Sequence, residues 1–155
     1  MKRLFSRILL FYIAILTISA NLASCQKYSD EDYEGMWQLI EIAQPDGSAP
    51  QDVKANGIYW RIQLGILQIT CTGMPIESNP GEVTATFSVS ENIFHLNAIY
   101  NHEREADLLI ADPAEATKFN VYGISAPTED FQIEALTDSR LVLVSPALRL
   151  VFRKF

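Results

Sequence analysis

Histidine and cysteine are scarce in this chain, and their positions limit the chemistry that it can perform. The two histidines are His95 and His102, and the two cysteines are Cys25 and Cys71. A zinc-protease helix needs two histidines on one face with a glutamate beside the first. His102 begins such a pattern, but Ala106 stands where the second histidine would be. The sequence therefore predicts no zinc site.

No other group of residues predicts catalysis or a bound cofactor. A serine nucleophile needs a histidine base and a recognisable turn around the serine, and the sequence shows neither pattern. His95 lies between Phe94 and Leu96 and is interpreted as a solvent-facing strand residue. Glu103 and Glu105 lie among other charged residues and are interpreted as solvent-exposed surface residues, not as a catalytic acid–base pair. We therefore predict a protein that is not an enzyme and that needs no metal or cofactor.

Cys25 follows a segment that is typical of an export signal. Three basic residues lie within the first seven positions, and an uncharged apolar run covers residues 8–18. This run is too short for a membrane span, which needs about 20 residues. The pattern predicts a cleaved signal peptide over residues 1–24.

The tetrapeptide Leu22-Ala23-Ser24-Cys25 resembles the lipobox of bacterial lipoproteins. In that family the cysteine receives a diacylglycerol, the peptidase cuts before it, and the new amino group is usually acylated, for example with palmitate. The resemblance implies lipid attachment at Cys25 and a membrane as the partner of the anchor. Each buried CH₂ of the acyl chains would contribute about 0.8 kcal/mol. The alternative is an ordinary cleavable signal with a cysteine nearby by chance.

Residues 25–33 are predicted to form the lipidated N-terminus and a solvated acidic tether, because Ser29-Asp30-Glu31-Asp32 is strongly charged. This run resembles the acidic export signal of surface-exposed lipoproteins in some Gram-negative anaerobes. Gln26, rather than aspartate, follows the cysteine, so retention in the inner membrane is not signalled. The resemblance implies a lipid-anchored protein of the outer membrane, with exposure at the cell surface as a further hypothesis. A solvated linker would give the same run of charges.

The charge of the chain argues against nucleic acid as a partner. Cleavage before Cys25 would leave nine basic residues against 19 acidic ones, a net charge of −10. Such a surface repels the phosphate backbone. If Cys25 is acylated, Cys71 has no partner within the chain, so the domain has to be stable without a disulfide.

From about residue 34 the apolar residues alternate with a period of two, which predicts strands. Asp112 and Pro113 are typical of a helix start, and a short helix is predicted from Pro113 to about Asn120. Seven or eight short strands in one domain, residues 34–155, predict a barrel or a sandwich. The first predicted strand ends before residue 44, and the others cover 58–64, 66–72, 83–90, 93–100, 131–136, 140–144 and 148–155, with residues 106–111 as a further strand candidate.

Gly35-Met36-Trp37 resembles the G-x-W element that opens the barrel of lipocalins and the wider calycin group. In that family the tryptophan packs across the closed end of the barrel, and an arginine near the last strand covers its indole. The resemblance implies a barrel-floor motif of Gly35 and Trp37, with Arg149 or Arg153 on the indole. The predicted fold is therefore all-β, a lipocalin-like antiparallel up-and-down barrel of about eight strands with one short helix. A β-sandwich is the alternative.

A barrel of this size encloses either packed side chains or one small ligand. We predict that it binds a small apolar or amphipathic molecule, and the same inward-facing residues could equally form a filled core. The second hypothesis is a protein-interaction or inhibitor module that contacts an outer-membrane partner through loops 45–56, 73–82 and 101–127. The candidate ligand-lining residues are Trp60, Ile62, Leu67, Ile69, Phe87, Phe94, Phe131 and Leu143.

Overall fold

The computed structural model describes residues 30–102 and 105–155, and eight of its strands form a closed antiparallel barrel. The strands in chain order are β1 (Gly35–Ala43), β2 (Gln51–Asp52), β3 (Ile58–Gln63), β4 (Ile66–Cys71), β5 (Val83–Ser90), β6 (Ile93–His102), β7 (Asp107–Ile110), β8 (Glu129–Leu136), β9 (Arg140–Val144) and β10 (Arg149–Lys154). Around the barrel the order is β1-β3-β4-β5-β6-β8-β9-β10, and β10 pairs with β1 to close the ring. The predicted barrel is confirmed, and the sandwich alternative is excluded.

Two short strands, β2 and β7, lie outside this ring. β2 pairs with the end of β1, and β7 pairs with the last part of β6, residues 99–102. The first part of β6, residues 93–96, pairs instead with β8. Because β6 changes its neighbour along its length, the segment between β7 and β8 has to cross one end of the barrel.

Helical turns occupy parts of the connections. They are α1 (Asp30–Tyr33), α2 (Pro113–Ala116) and 3₁₀ turns at Lys54–Asn56, Ile76–Ser78 and Thr117–Tyr122. The helix start predicted at Asp112 is confirmed, since its side chain accepts a hydrogen bond from the N–H of Ala114 at 2.9 Å. The α-helical part is shorter than predicted, and the chain continues as a 3₁₀ turn until Gly123 ends it in a left-handed conformation.

The alternation of apolar residues places one face of each strand in a single core. Trp60 lies at its centre and contacts the rings of Phe94, Phe131 and Phe152, with centroid distances of 6.4, 6.3 and 4.9 Å. Phe87 stacks on Phe94 at 4.6 Å. Rings at these separations gain both from burial and from their favourable relative orientation, so the aromatic side chains fill the middle of the barrel.

The two ends of the barrel differ in their connections. One end, which we call the tryptophan end because Trp37 closes it, contains Gly35 and the short turns at residues 64–65, 91–92 and 137–139. The other end, which we call the plugged end because residues 113–124 close it, contains the longer connections at residues 44–57, 72–82 and 111–128 together with the turn at 145–148. Among the described residues, no helix combines the length and the apolar character needed to cross a bilayer.

Candidate functional site

Trp37 closes the tryptophan end from inside the barrel. Its side chain is fully buried, and its indole N–H donates to the carbonyl oxygen of Tyr33 at 2.8 Å. Tyr33 is itself buried and lies edge-on to Phe87, with ring centroids 5.8 Å apart. The sequence analysis placed Tyr33 in the tether, but it belongs to the core.

Lys154, not an arginine, covers the indole of Trp37. Its Nζ lies 4.9 Å from the ring centroid, within the range of a cation–π contact. Gly35 has φ of +129°, and a Cβ at this position would lie 3.0 Å from the Cε of Lys154. The glycine of the G-x-W element therefore leaves room for the lysine stem that crosses the tryptophan.

The structure corrects the predicted roles of Arg149 and Arg153. Arg149 binds Glu134 through two hydrogen bonds, of 3.0 and 2.6 Å. Arg153 donates to Oε1 of Gln38 at 2.8 Å. The reason is register, because Trp37 is opposite Lys154 while Arg153 is opposite Gln38, whose side chain has the other parity.

Residues 113–124, which we call the plug, close the opposite end. Phe119, Tyr122 and Ile124 are buried in the barrel core. The carbonyl oxygen of Tyr122 accepts a hydrogen bond of 3.1 Å from the indole N–H of Trp60. The Tyr122 hydroxyl lies 2.7 Å from Oδ1 of Asn79 and 2.8 Å from the carbonyl oxygen of Gly81. These contacts tie the plug to the aromatic centre and to the 72–82 connection.

The surroundings of the Tyr122 hydroxyl favour its protonated form. Burial raises the pKa of this group well above its ordinary value, and the nearby Cys71 and Glu82 raise it further. A protonated hydroxyl has one proton to donate, and Oδ1 of Asn79 and the carbonyl oxygen of Gly81 are both acceptors within its reach. The raised pKa therefore favours the form of Tyr122 that can donate to the 72–82 connection.

All eight residues predicted to line a ligand cavity lie in the packed core. Each is at most 6% exposed, and the aromatic members contact one another or Phe152. An eight-stranded barrel is only just wide enough for its own side chains, and the plug adds three large ones. In this structure side chains occupy the space predicted for a ligand. Ligand contact by Trp60, Ile62, Leu67, Ile69, Phe87, Phe94, Phe131 and Leu143 stays a prediction.

An open groove of about 470 Å³ lies outside the core, at the plugged end. It runs between the end of β1, the 44–57 connection, the plug and the turn before β10. Its apolar lining comes from Ile42, Ala43, Ala49, Val53, Val121, Ala147 and Leu148. Its polar lining comes from Gln44, Gln51, Asn56, Asn120 and Ser125. Sequence reasoning missed this groove because residues from four separate segments form it.

His95 takes part in a hydrogen-bonded set that the sequence analysis also missed. Its two ring nitrogens lie within 3 Å of Ser90 and Asp130, on the outer face of the barrel. The partners are five and 35 residues away in the chain, so only the strand register could have revealed them. No group of three or more His, Cys, Asp or Glu side chains suited to a metal ion occurs in the described part of the chain. Cys25 lies outside the described residues.

Comparison with known proteins agrees with this architecture. A lipocalin-like protein of Bacteroides uniformis superposes with a TM-score of 0.56 at 20% identity, over 80% of this chain and 99% of that one. An uncharacterised protein of Bacteroides eggerthii gives a TM-score of 0.56 at 23% identity, over 80% of this chain and all of that one. No curated protein matches the chain. The profile of the lipocalin-like domain matches residues 20–155, so the chain belongs to the lipocalin-like domain family.

Proposed function

We propose that the protein is a lipid-anchored binding protein of the outer membrane that holds a small, uncharged, amphipathic molecule in the groove at the plugged end. The observation that supports this proposal is the lining of the groove, in which an apolar floor adjoins four carboxamide side chains and no charged residue. The family is compatible with ligand binding and offers a rigid barrel on which the groove is built. The proposal moves the ligand from the barrel interior, where side chains already fill the space, to a surface that is open.

The chemistry of the lining selects the class of ligand. Carboxamides both donate and accept hydrogen bonds, so they suit hydroxyl and amide groups. A charged ligand would lose water here without meeting an opposite charge, which is costly. Ile42, Val53, Val121 and Leu148 offer apolar surface beside these amides. A molecule with a short apolar part and a neutral polar head therefore fits the groove best.

The proposed anchor gives the groove an orientation. Cys25 lies five residues before Asp30, where the described chain begins next to the tryptophan end. Five extended residues reach at most about 18 Å. A lipid on Cys25 would therefore keep the tryptophan end close to the bilayer, and the groove would face away from it.

Binding can be tested with a neutral amphiphile, octyl glucoside, below its micellar concentration. Backbone NMR of the domain without its lipid anchor should show chemical-shift changes confined to residues that line the groove, such as Ile42, Val121 and Leu148. Val121→Asp should weaken the binding at least tenfold, because it places a charge on the apolar floor. Ile76→Asp, at an exposed apolar residue outside the groove, is the matched control. Chemical-shift changes centred on Trp60 and Phe94 would instead indicate binding in the barrel interior and contradict the proposed groove.

The anchor has its own test. Cys25→Ala should move the protein from the membrane fraction to the soluble fraction of its own cell, because it removes the thiol that the lipid needs. Ser24→Ala keeps a small residue before the cysteine and is the matched control. Membrane association that persists in Cys25→Ala would contradict acylation at this position.

A second candidate function is docking to an outer-membrane protein through the same end. Ile76, Leu108 and Leu109 are 90%, 55% and 59% exposed, and all three lie in the predicted contact loops. Within the described strands β7 pairs only with β6, so its other edge can accept a strand. A photo-crosslinking residue at position 108 should then capture one defined partner in cells. The same residue at position 132, on an exposed face near the tryptophan end, should not.

A further inference from the structure

Three side chains on the outer face of the barrel have the connectivity of an activated serine. Ser90 ends β5, His95 lies in β6 and Asp130 lies in β8. The Ser90 Oγ lies 2.9 Å from Nε2 of His95, and Nδ1 of His95 lies 2.8 Å from Oδ1 of Asp130. Strand register places them, because β6 pairs with β5 on one side and with β8 on the other, and His95 is directly opposite Asp130.

The hydrogen bonds assign the tautomer of His95. A carboxylate only accepts, so Asp130 requires a proton on Nδ1. Nε2 of the neutral ring is then an acceptor, and the Ser90 hydroxyl donates to it. This arrangement makes the imidazole a base toward the serine while the carboxylate orients the ring and stabilises the imidazolium.

The turn after Ser90 contains two backbone N–H groups that are candidates to stabilise a developing negative charge. Glu91 and Asn92 have φ of 49° and 69°, so the chain reverses immediately after the serine. Neither backbone N–H donates to another atom in the described part of the chain. In acyl transfer, the N–H of the residue after the nucleophile is a common donor to the oxyanion, and Glu91 is the residue after Ser90.

We propose that Ser90 is an acyl-accepting nucleophile and that the outer face of the barrel hydrolyses small, uncharged, activated esters. The Ser90 oxygen bonds to the ester carbonyl carbon while its proton passes to Nε2 of His95. The carbon–oxygen bond to the leaving group then breaks, and His95 returns the proton to the leaving oxygen. Water attacks the acyl-serine with His95 as base, which releases the carboxylic acid and restores Ser90.

The surroundings define the substrate class and the size of the effect. The side chains of His95 and Asp130 are 28% and 69% exposed, so the site is open to water. General base catalysis contributes about 10²–10⁴-fold, and an open site belongs at the lower limit of this range. Glu91 and Asp130 repel anions, so neutral esters with a good leaving group should react. This activity is separate from the groove, and either can fail without the other.

The test uses the full chain in detergent with p-nitrophenyl acetate and with a fluorophosphonate probe. The rate of ester hydrolysis should fall at least tenfold in Ser90→Ala and in His95→Ala, and peptide mass spectrometry should locate the probe on Ser90. Ser88→Ala is the matched control, since Ser88 is an exposed serine of the same strand that accepts from Asn97 instead. Circular dichroism checks that each surface variant is folded. Labelling on another residue, or an unchanged rate in His95→Ala, would overturn the proposal.

Discussion

The two ends of the barrel are closed by different means. At the tryptophan end, one residue of the first strand fills the opening, and tight turns join the strands around it. At the plugged end, a twelve-residue segment from outside the ring inserts Phe119, Tyr122 and Ile124 into the barrel and leaves a groove beside it. The first solution is built from strands, tight turns and the short helical turn that ends at Tyr33, and it offers little surface that could vary. The second is built from connections, which is where proteins on rigid scaffolds usually carry their binding residues.

The tryptophan end should be the more sensitive of the two to truncation. Trp37→Ala should lower the free energy of unfolding by about 3–5 kcal/mol, because it removes a fully buried ring and leaves a cavity. Met36→Ala changes the neighbouring side chain, which faces the other way, and should cost much less. Urea unfolding of both variants measures the difference. Equal losses would mean that Trp37 does not close the barrel.

The plugged end can be loosened at Gly123. This residue has φ of +86°, and an added Cβ would lie 2.6 Å from a methyl carbon of Leu150. Gly123→Ala should cost about 2–4 kcal/mol, from the left-handed backbone and from overpacking. Gly47→Ala has a similar φ of +81° but its nearest neighbour atom is 3.9 Å away, so it should cost about 1 kcal/mol. Hydrogen exchange should show faster opening of the plug in the first variant only.

The cation on Trp37 is a smaller contribution to the same end. Lys154→Met keeps the apolar stem and removes the charge, so the free energy of unfolding should fall by about 0.5–1 kcal/mol. The indole fluorescence of Trp37 should change together with stability. Arg153→Met removes a neighbouring charge that does not lie on the ring and should leave that fluorescence unchanged. A change of Trp37 fluorescence in Arg153→Met but not in Lys154→Met would indicate that the arginine expected from the family motif covers the indole.

The ion pair of Arg149 with Glu134 should give the smallest effect, and one that depends on pH. The hydrogen bonds from Arg149 lower the pKa of Glu134 in the folded protein. The stabilisation is therefore complete above the pKa of this group in the unfolded chain, and it is lost as the pH falls through the lower folded pKa. Glu134→Gln should cost less than about 1 kcal/mol at neutral pH and nothing in acid. Glu91→Gln, with no ion pair among the described residues, is the control.

Local patterns were sufficient to predict the eight strands of the barrel, but not the two-residue strand β2. The period of two placed residues 83–90 and 140–144 within the bounds that the structure has, and the Asp112-Pro113 pair predicted the start of the helix. Those signals depend only on neighbours in the chain. The resemblance of Gly35-Met36-Trp37 to the G-x-W element led to the prediction of a closed barrel, because in that family the tryptophan packs across one end.

Features that depend on register could not be predicted in the same way. Whether a lysine or an arginine lies on Trp37 is decided by a shift of one residue between strands that are far apart in sequence. The hydrogen-bonded set around His95 depends on three strands at once. Phe119, Tyr122 and Ile124 follow neither a strand nor a helix period, so nothing in their spacing indicated a plug.

The pairing of β1 with β10 has a consequence for the order of assembly. Gln38 and Arg153, which are bonded to each other, are 115 residues apart in the chain. The first strand therefore lacks its partner on one side until the last strand has been synthesised, and closing so long a loop is entropically costly. Folding should therefore be slow compared with that of helical proteins of this length.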